Sequence, residues 1–135
     1  MRLPTLALAL IAFASAPQAL AQSNVVDGVV PAGQPTILSS HVLTSQSGCS
    51  AAAMPRMYAS RRPRNGKISF RRQRVPLDDI KASCAGKTAM GIVVVYTPNP
   101  GFRGEDVFTI SPRNSRNPSQ VIVGNRARTF SLTVR

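Results

Sequence analysis

Eleven prolines and nine glycines are spread along this chain of 135 residues, and their spacing limits what it can fold into. Proline lacks the N–H that a helix interior needs, and glycine weakens the interior of any regular element. The runs between them are short and rich in Val, Ile, Thr and Phe, which is typical of β-strands. Only Asp78 to Ala85 could form a single helical turn. The pattern therefore predicts an all-β protein.

The order of residues within these runs predicts which faces are buried. Lys67 to Arg71 alternates polar and apolar residues, so Ile68 and Phe70 should share one face. Phe130 to Val134 alternates in the same way, with its Phe, Leu and Val side chains expected to point inward. Ile92 to Tyr96 is continuously apolar, as in a central strand. In chain order the predicted strands are Val25 to Val30, Thr36 to Thr44, Arg56 to Ser60, Lys67 to Arg71, Ile92 to Tyr96, Val107 to Ile110 and Phe130 to Val134.

Turn signals separate these strands. The Asn-Gly pair in Pro63 to Gly66 favours a tight hairpin turn, and Pro112 to Ser119 has the composition of an exposed loop. About seven short strands in about 110 residues predict an antiparallel β-sandwich. A small barrel is the alternative.

The first 21 residues have the pattern of a secretory signal peptide. Arg2 gives a positive start, Leu3 to Ala16 is almost wholly apolar, and Ala19-Leu20-Ala21 supplies a small-x-small cleavage site. We expect cleavage between Ala21 and Gln22, which leaves residues 22–135 as one domain without a transmembrane segment. An uncleaved anchor is the alternative, but the apolar stretch is short for a span of about 20 residues.

Two cysteines, Cys49 and Cys84, remain in the exported part of the chain. An even number of cysteines in an oxidising compartment favours a disulfide. The closed loop would hold 34 intervening residues, for which chain entropy predicts about 4 kcal/mol of stabilisation. Two reduced, buried thiols are the alternative.

Positive charge is concentrated in one part of the sequence. The full chain has 17 basic and 5 acidic residues, and removal of Arg2 leaves 16 against 5, a net charge of +11. Between Arg56 and Arg74 there are eight basic residues and no acidic one. Arginine suits bidentate contact with phosphate or carboxylate. The candidate anion-binding residues are Arg61, Arg62, Arg64, Lys67, Arg71, Arg72 and Arg74.

The same positive charge indicates which classes of partner the chain could attract. The expected partner is an unknown protein or an anionic envelope component. Lipid head groups, lipopolysaccharide, wall polymers and released nucleic acid are polyanions that a basic patch would attract in a salt-dependent way. Nucleic acid is not the expected partner, since only Tyr58 and Phe70 lie near the cluster as stacking platforms and no recognition-helix pattern accompanies it. The charge could also serve solubility alone.

The segment from Tyr96 to Ile110, Tyr-Thr-Pro-Asn-Pro-Gly-Phe-Arg-Gly-Glu-Asp-Val-Phe-Thr-Ile, resembles a recurrent segment of bacterial immunoglobulin-like and cadherin-like domains. The family pattern is a Tyr, a proline-rich turn, Gly-Phe-x-Gly-x-Asp-x-Phe and a strand. Ile110 stands where the family often has Tyr. Pro63 to Ile68 resembles the element that precedes this segment, so the likeness covers about Pro55 to Arg135. It implies an immunoglobulin-like β-sandwich of bacterial origin. Such modules serve as spacers, adhesion units and binding domains, often in tandem arrays, whereas this chain holds one. The matching positions are Gly101, Phe102, Gly104, Asp106 and Phe108.

Within this segment, the side chains are expected to act structurally. Phe108 should enter the core and Phe102 should cover the edge of the sandwich. Asp106 should accept backbone N–H bonds in the turn. Calcium binding would need more carboxylates than the neighbouring Glu105 supplies.

Catalytic and metal-binding patterns are sparse. His41 is the single histidine, and no Gly-x-Ser-x-Gly sequence accompanies it. We expect no catalytic residues, no cofactor and no metal site. The expected function is a non-catalytic binding or structural module, periplasmic or secreted. The alternatives are a polyanion-binding protein that uses Arg56 to Arg74, and a small secreted enzyme of unfamiliar type.

Overall fold

A computed structural model of the chain describes residues 24–45, 48–78, 80–113, 120–123 and 127–135. The predicted signal peptide lies outside them. Within these residues the chain forms nine β-strands and one turn of 3-10 helix at Ala82–Cys84. No helix in this part of the chain has the length and apolar character needed to span a membrane. In chain order the strands are β1 (Val25–Val30), β2 (Thr36–Ser45), β3 (Ala51–Ala53), β4 (Met57–Arg61), β5 (Gly66–Pro76), β6 (Thr88–Pro98), β7 (Gly104–Pro112), β8 (Gln120–Val123) and β9 (Arg128–Val134).

The strands form two sheets. Sheet 1 has the order β1-β9-β7-β4, and sheet 2 has the order β3-β2-β6-β5, with β8 also paired to β2. All pairs are antiparallel except β1 with β9, which run parallel. The all-β sandwich predicted from the sequence is confirmed, and the alternative of a single closed barrel is wrong.

The main core lies between the two sheets. The ring of Phe108 stacks between those of Tyr96 and Phe130, with ring centroids 5.3 and 5.4 Å apart. Leu132 and Val134 point inward with Phe130, as the alternation of β9 predicted. The cluster comprises Val30, Val94, Tyr96, Phe108, Ile110, Phe130, Leu132 and Val134.

A second core lies on the opposite face of sheet 2. Val93 and Val95 of β6 pack there against Leu77 and Cys84, which belong to the segment between β5 and β6. Because neighbouring residues of a strand point to opposite faces, β6 has a core on both sides. This explains why Ile92 to Tyr96 is apolar at every position rather than alternating.

Two strands were not predicted from the sequence. β3 is the run Ala51–Ala53, which lacks β-branched residues, and it pairs with β2 at only two described positions. β8 lies just after the predicted loop and pairs with Val42–Ser45 of β2. Of the predicted loop 112–119, the structure describes Pro112, which ends β7, and Arg113.

The predicted hairpin at Asn65-Gly66 is wrong. β4 belongs to sheet 1 and β5 to sheet 2, so the chain crosses between sheets at this point. The tight turn that favours Asn-Gly needs a positive φ at both central residues, and neither Asn65 nor Gly66 has one.

Candidate binding surface

The predicted anion-binding residues lie along one side of the sandwich. β4 is the last strand of sheet 1 and β5 is the last strand of sheet 2, joined by residues 62–65. The seven cations are all exposed on these two strands and their connection. We call this set the basic edge; it comprises Arg61, Arg62, Arg64, Lys67, Arg71, Arg72 and Arg74.

Among the described residues, no carboxylate neutralises the charge of the basic edge. Within the described part of the chain, none of its seven side chains forms an ion pair. Arg74 donates a hydrogen bond to the Thr88 hydroxyl, with 3.3 Å between Nη1 and Oγ1, which leaves its charge uncompensated. An array of exposed like charges of this kind raises the local concentration of anions.

An open groove of about 620 Å³ separates β4 from β5. Met57, Ile68 and Phe70 give it apolar surface, and Arg62, Lys67 and Arg113 supply positive charge. Phe70 shares the inner face of sheet 2 with Ile68, as predicted, because they pair with Val94 and Tyr96. It is nevertheless 36 % exposed, since β4 has five residues and β5 has eleven, so sheet 1 covers only part of β5.

Asp106 holds the connection between β4 and β5 in place. Its Oδ1 accepts a hydrogen bond from the Arg64 N–H and its Oδ2 from the Asn65 N–H, both at 2.9 Å. Oδ2 also accepts from the Tyr96 hydroxyl at 2.9 Å. The sequence predicted that Asp106 accepts hydrogen bonds from backbone N–H groups, but from those of its own turn. The donors come instead from a segment about 40 residues away, so Asp106 positions the strand crossing.

Burial raises the pKa of the Tyr96 hydroxyl well above its usual value, and the hydrogen bond to Asp106 and its negative charge add to this effect. The hydroxyl therefore stays protonated and donates. A side chain on Gly66 would collide with the Tyr96 ring and would lie 2.8 Å from the Thr97 carbonyl oxygen. The glycine at the start of β5 is thus required for close approach rather than for a turn.

Arg113 joins the groove from the end of β7. Its backbone N–H donates to the Arg56 carbonyl at 2.8 Å, and its guanidinium lies over the Tyr58 ring, 5.4 Å from the centroid. This cation–π contact places one more positive charge beside the exposed aromatic rings. Sequence analysis assigned Arg113 to a loop and missed it, because only the pairing of β4 with β7 brings it to Tyr58.

Cys49 and Cys84 form the predicted disulfide, with 5.5 Å between their Cα atoms. The alternative of two reduced thiols is therefore wrong. Cys84 ends the 3-10 turn, and the bond ties this turn to the segment that precedes β3. The crosslink holds the cover of the second core in place.

His41 lies in the interior and is 4 % exposed. Its Nε2 is 3.0 Å from the Ser39 hydroxyl on the same strand. A general base must come within hydrogen-bond reach of a substrate proton, and this ring is shielded from the surface. In the described ranges, no three His, Cys, Asp or Glu residues are grouped as metal ligands would be.

The chain was compared with protein-family models, with curated proteins and with solved structures, and none of the three comparisons found a match. The two-sheet architecture and the basic edge therefore define the molecule at the level of an all-β sandwich with a cationic surface.

Proposed function

We propose that the protein is an exported, immunoglobulin-like binding module that holds an anionic partner on its basic edge. The signal-peptide pattern of residues 1–21 supports export, and a disulfide between Cys49 and Cys84 suits an oxidising compartment. The segment from Tyr96 to Ile110 supports the immunoglobulin-like assignment, together with two antiparallel-dominated sheets.

One observation carries the proposal of an anionic partner. Among the described residues, none of the seven exposed cations forms an ion pair, and two of them, Arg62 and Lys67, line the groove. The same groove presents exposed Phe70 and Tyr58. A surface that served solubility alone would have no reason to keep aromatic side chains exposed beside its charges. Cations around an apolar groove instead suit a partner that is anionic and partly apolar.

Binding is favoured over catalysis because of where the reactive groups lie. Asp106 is buried and accepts three hydrogen bonds that hold the strand crossing. The groove itself is lined by no acid, histidine or cysteine among the described residues. Its cations can neutralise charge on a ligand, which favours binding of the ligand rather than its chemical conversion.

Binding to heparin and to lipopolysaccharide tests the proposal. Affinity should fall steeply between 50 and 200 mM salt, by about 10³-fold if seven cations contribute. The variant R71Q/R72Q/R74Q should bind at least about tenfold more weakly at low salt and should reduce the slope of log K against log salt by about 3. The matched control is K87Q/R103Q/R135Q, which removes three exposed charges elsewhere and should retain most of the affinity.

Equal losses in the two triple variants would show that net charge alone attracts the polyanion, and the basic edge would then have no special role. Export is tested separately by N-terminal sequencing of protein recovered outside the cytoplasm, which should begin at Gln22.

A further inference from the structure

β5 is an edge strand of unusual length. It pairs with β6 along all eleven residues of Gly66–Pro76, and none of the described residues pairs with its other edge. Strands average about 5 to 6 residues, and long free edges are normally blocked because they can pair with another chain. The free edge of β5 is therefore a ready template for an added strand.

The register shows which backbone groups this edge presents. Just outside β5, the Asn99 N–H donates to the Asn65 carbonyl at 2.8 Å, and the Leu77 N–H donates to the Lys87 carbonyl at 2.9 Å. In an antiparallel ladder, hydrogen-bonded and non-hydrogen-bonded pairs alternate. The odd-numbered residues of β5 therefore bond to β6, because the register between these two bonds is unbroken. The N–H and C=O groups that point to the free edge belong to Ile68, Phe70, Arg72 and Arg74.

The groove lies directly beside this edge. β5 contributes Ile68 and Phe70 to one wall, and β4 contributes Met57 and Tyr58 to the other. A strand added to β5, about 4.8 Å away, would continue sheet 2 over the groove. Alternate side chains of that strand would point into the groove and cover the exposed ring of Phe70.

Charge selects the occupant. A second copy of β5 would bring its own Arg71, Arg72 and Arg74 against those already present, and like charges opposite each other destabilise strand pairs. An acidic strand whose apolar side chains enter the groove would instead place its carboxylates on the opposite face, beside Lys67 and Arg71 of β5. Apolar residues at alternate positions would suit the groove.

We propose that the free edge of β5 binds an extended acidic segment of a partner protein by strand addition, with alternate apolar side chains in the groove. The inference rests on the proposed function, since it names the class of anion that the basic edge retains. Main-chain hydrogen bonds supply affinity in this mode, and the groove supplies specificity.

The probe is a nine-residue peptide of alternating Glu and Val, measured by fluorescence anisotropy at 50 mM salt. A second peptide has the same sequence but carries N-methyl groups on its five central amides, which keeps the charge and removes the donors. The unmodified peptide should bind at least about tenfold more tightly. In hydrogen exchange, the peptide should protect the amides of Ile68, Phe70, Arg72 and Arg74, whereas the odd-numbered amides of β5 should change little.

On the protein side, Phe70→Pro removes one donor from the free edge and leaves every charge in place. Proline is tolerated at an edge position whose N–H faces solvent. Compared with Phe70→Ala, which removes the same ring but keeps the N–H, the proline variant should bind heparin equally well and the acidic peptide at least about tenfold more weakly. If Phe70→Pro fails to fold, the two peptides still decide the question.

Equal binding of the methylated and unmodified peptides would overturn strand addition while leaving anion binding by the basic edge intact. The same conclusion would follow if heparin bound but neither peptide did. Absence of binding to peptides, heparin and lipopolysaccharide alike would overturn the proposed function as well.

Discussion

Replacing Asp106 with Ala removes the acceptor of three hydrogen bonds at the point where the chain crosses from sheet 1 to sheet 2. The Tyr96 hydroxyl would be left buried without its acceptor, which costs about 1–3 kcal/mol. The N–H groups of Arg64 and Asn65 would lose their hydrogen bonds to the carboxylate but could bond to water instead. Each of these exchanges should cost about 1 kcal/mol. The free energy of unfolding should therefore fall by about 4 kcal/mol, and the melting temperature by about 15 °C.

A double-mutant cycle with Tyr96→Phe tests this reasoning through urea denaturation. Alone, Tyr96→Phe should cost about 1–2 kcal/mol, because it removes one hydrogen bond. In the Asp106→Ala background it should instead recover about 1–3 kcal/mol, since it removes the hydroxyl that lacks an acceptor. The cycle should thus depart from additivity by at least about 2 kcal/mol. Additive losses within about 0.5 kcal/mol would refute the shared network.

Three further perturbations have defined outcomes. Because the pKa of Tyr96 is raised in the folded state, its protonated hydroxyl contributes fully to folding stability below the ordinary tyrosine pKa of about 10. This stability is lost as the pH rises above that value. The stability advantage of wild type over Tyr96→Phe should shrink between pH 9 and 11 in urea titrations; a constant difference would contradict this. In the double variant Cys49→Ser/Cys84→Ser, the free energy of unfolding should fall by about 4 kcal/mol. Wild type with its disulfide reduced should show the same loss. Thr44→Val should raise stability by about 1 kcal/mol, since Thr44 Oγ1 is buried without a hydrogen-bond partner among the described residues; a lower melting temperature would contradict that.

The strands that the sequence predicted are those in which the order of apolar residues reflects the burial of each face. β9 alternates because one face packs in the core, and the middle of β6 is uniformly apolar because both faces do. β3 gave no such signal, since Ala51–Ala53 is exposed throughout. Its pairing depends on the path of β2 and is not encoded locally.

The candidate binding surface could be predicted only in part, for the same reason. The cluster of arginines is visible as a run of charge, but the groove exists because β4 and β5 end neighbouring sheets. The local signal at Asn65-Gly66 favoured a hairpin that would have paired these two strands and closed the groove. The Arg64 and Asn65 N–H groups donate hydrogen bonds to Asp106, about 40 residues later in the chain, and these bonds oppose that turn. A contact of this separation leaves no trace in the local sequence pattern.

The arginines of the basic edge should also prevent two copies of β5 from pairing with each other. If the arginines keep copies of β5 apart, replacing Arg71, Arg72 and Arg74 with Thr should expose a long neutral strand of high β-propensity. The variant should then form dimers or larger species in light scattering at concentrations where the wild type does not.

The variant in which Lys87, Arg103 and Arg135 become Thr has the same net charge and should match the wild type. Unchanged association of the β5 variant would mean that something other than charge protects the edge. Association and strand addition require the same outward N–H and C=O groups. A neutral peptide of alternating Thr and Val should therefore dissociate the β5 variant, because it competes for those groups without depending on charge.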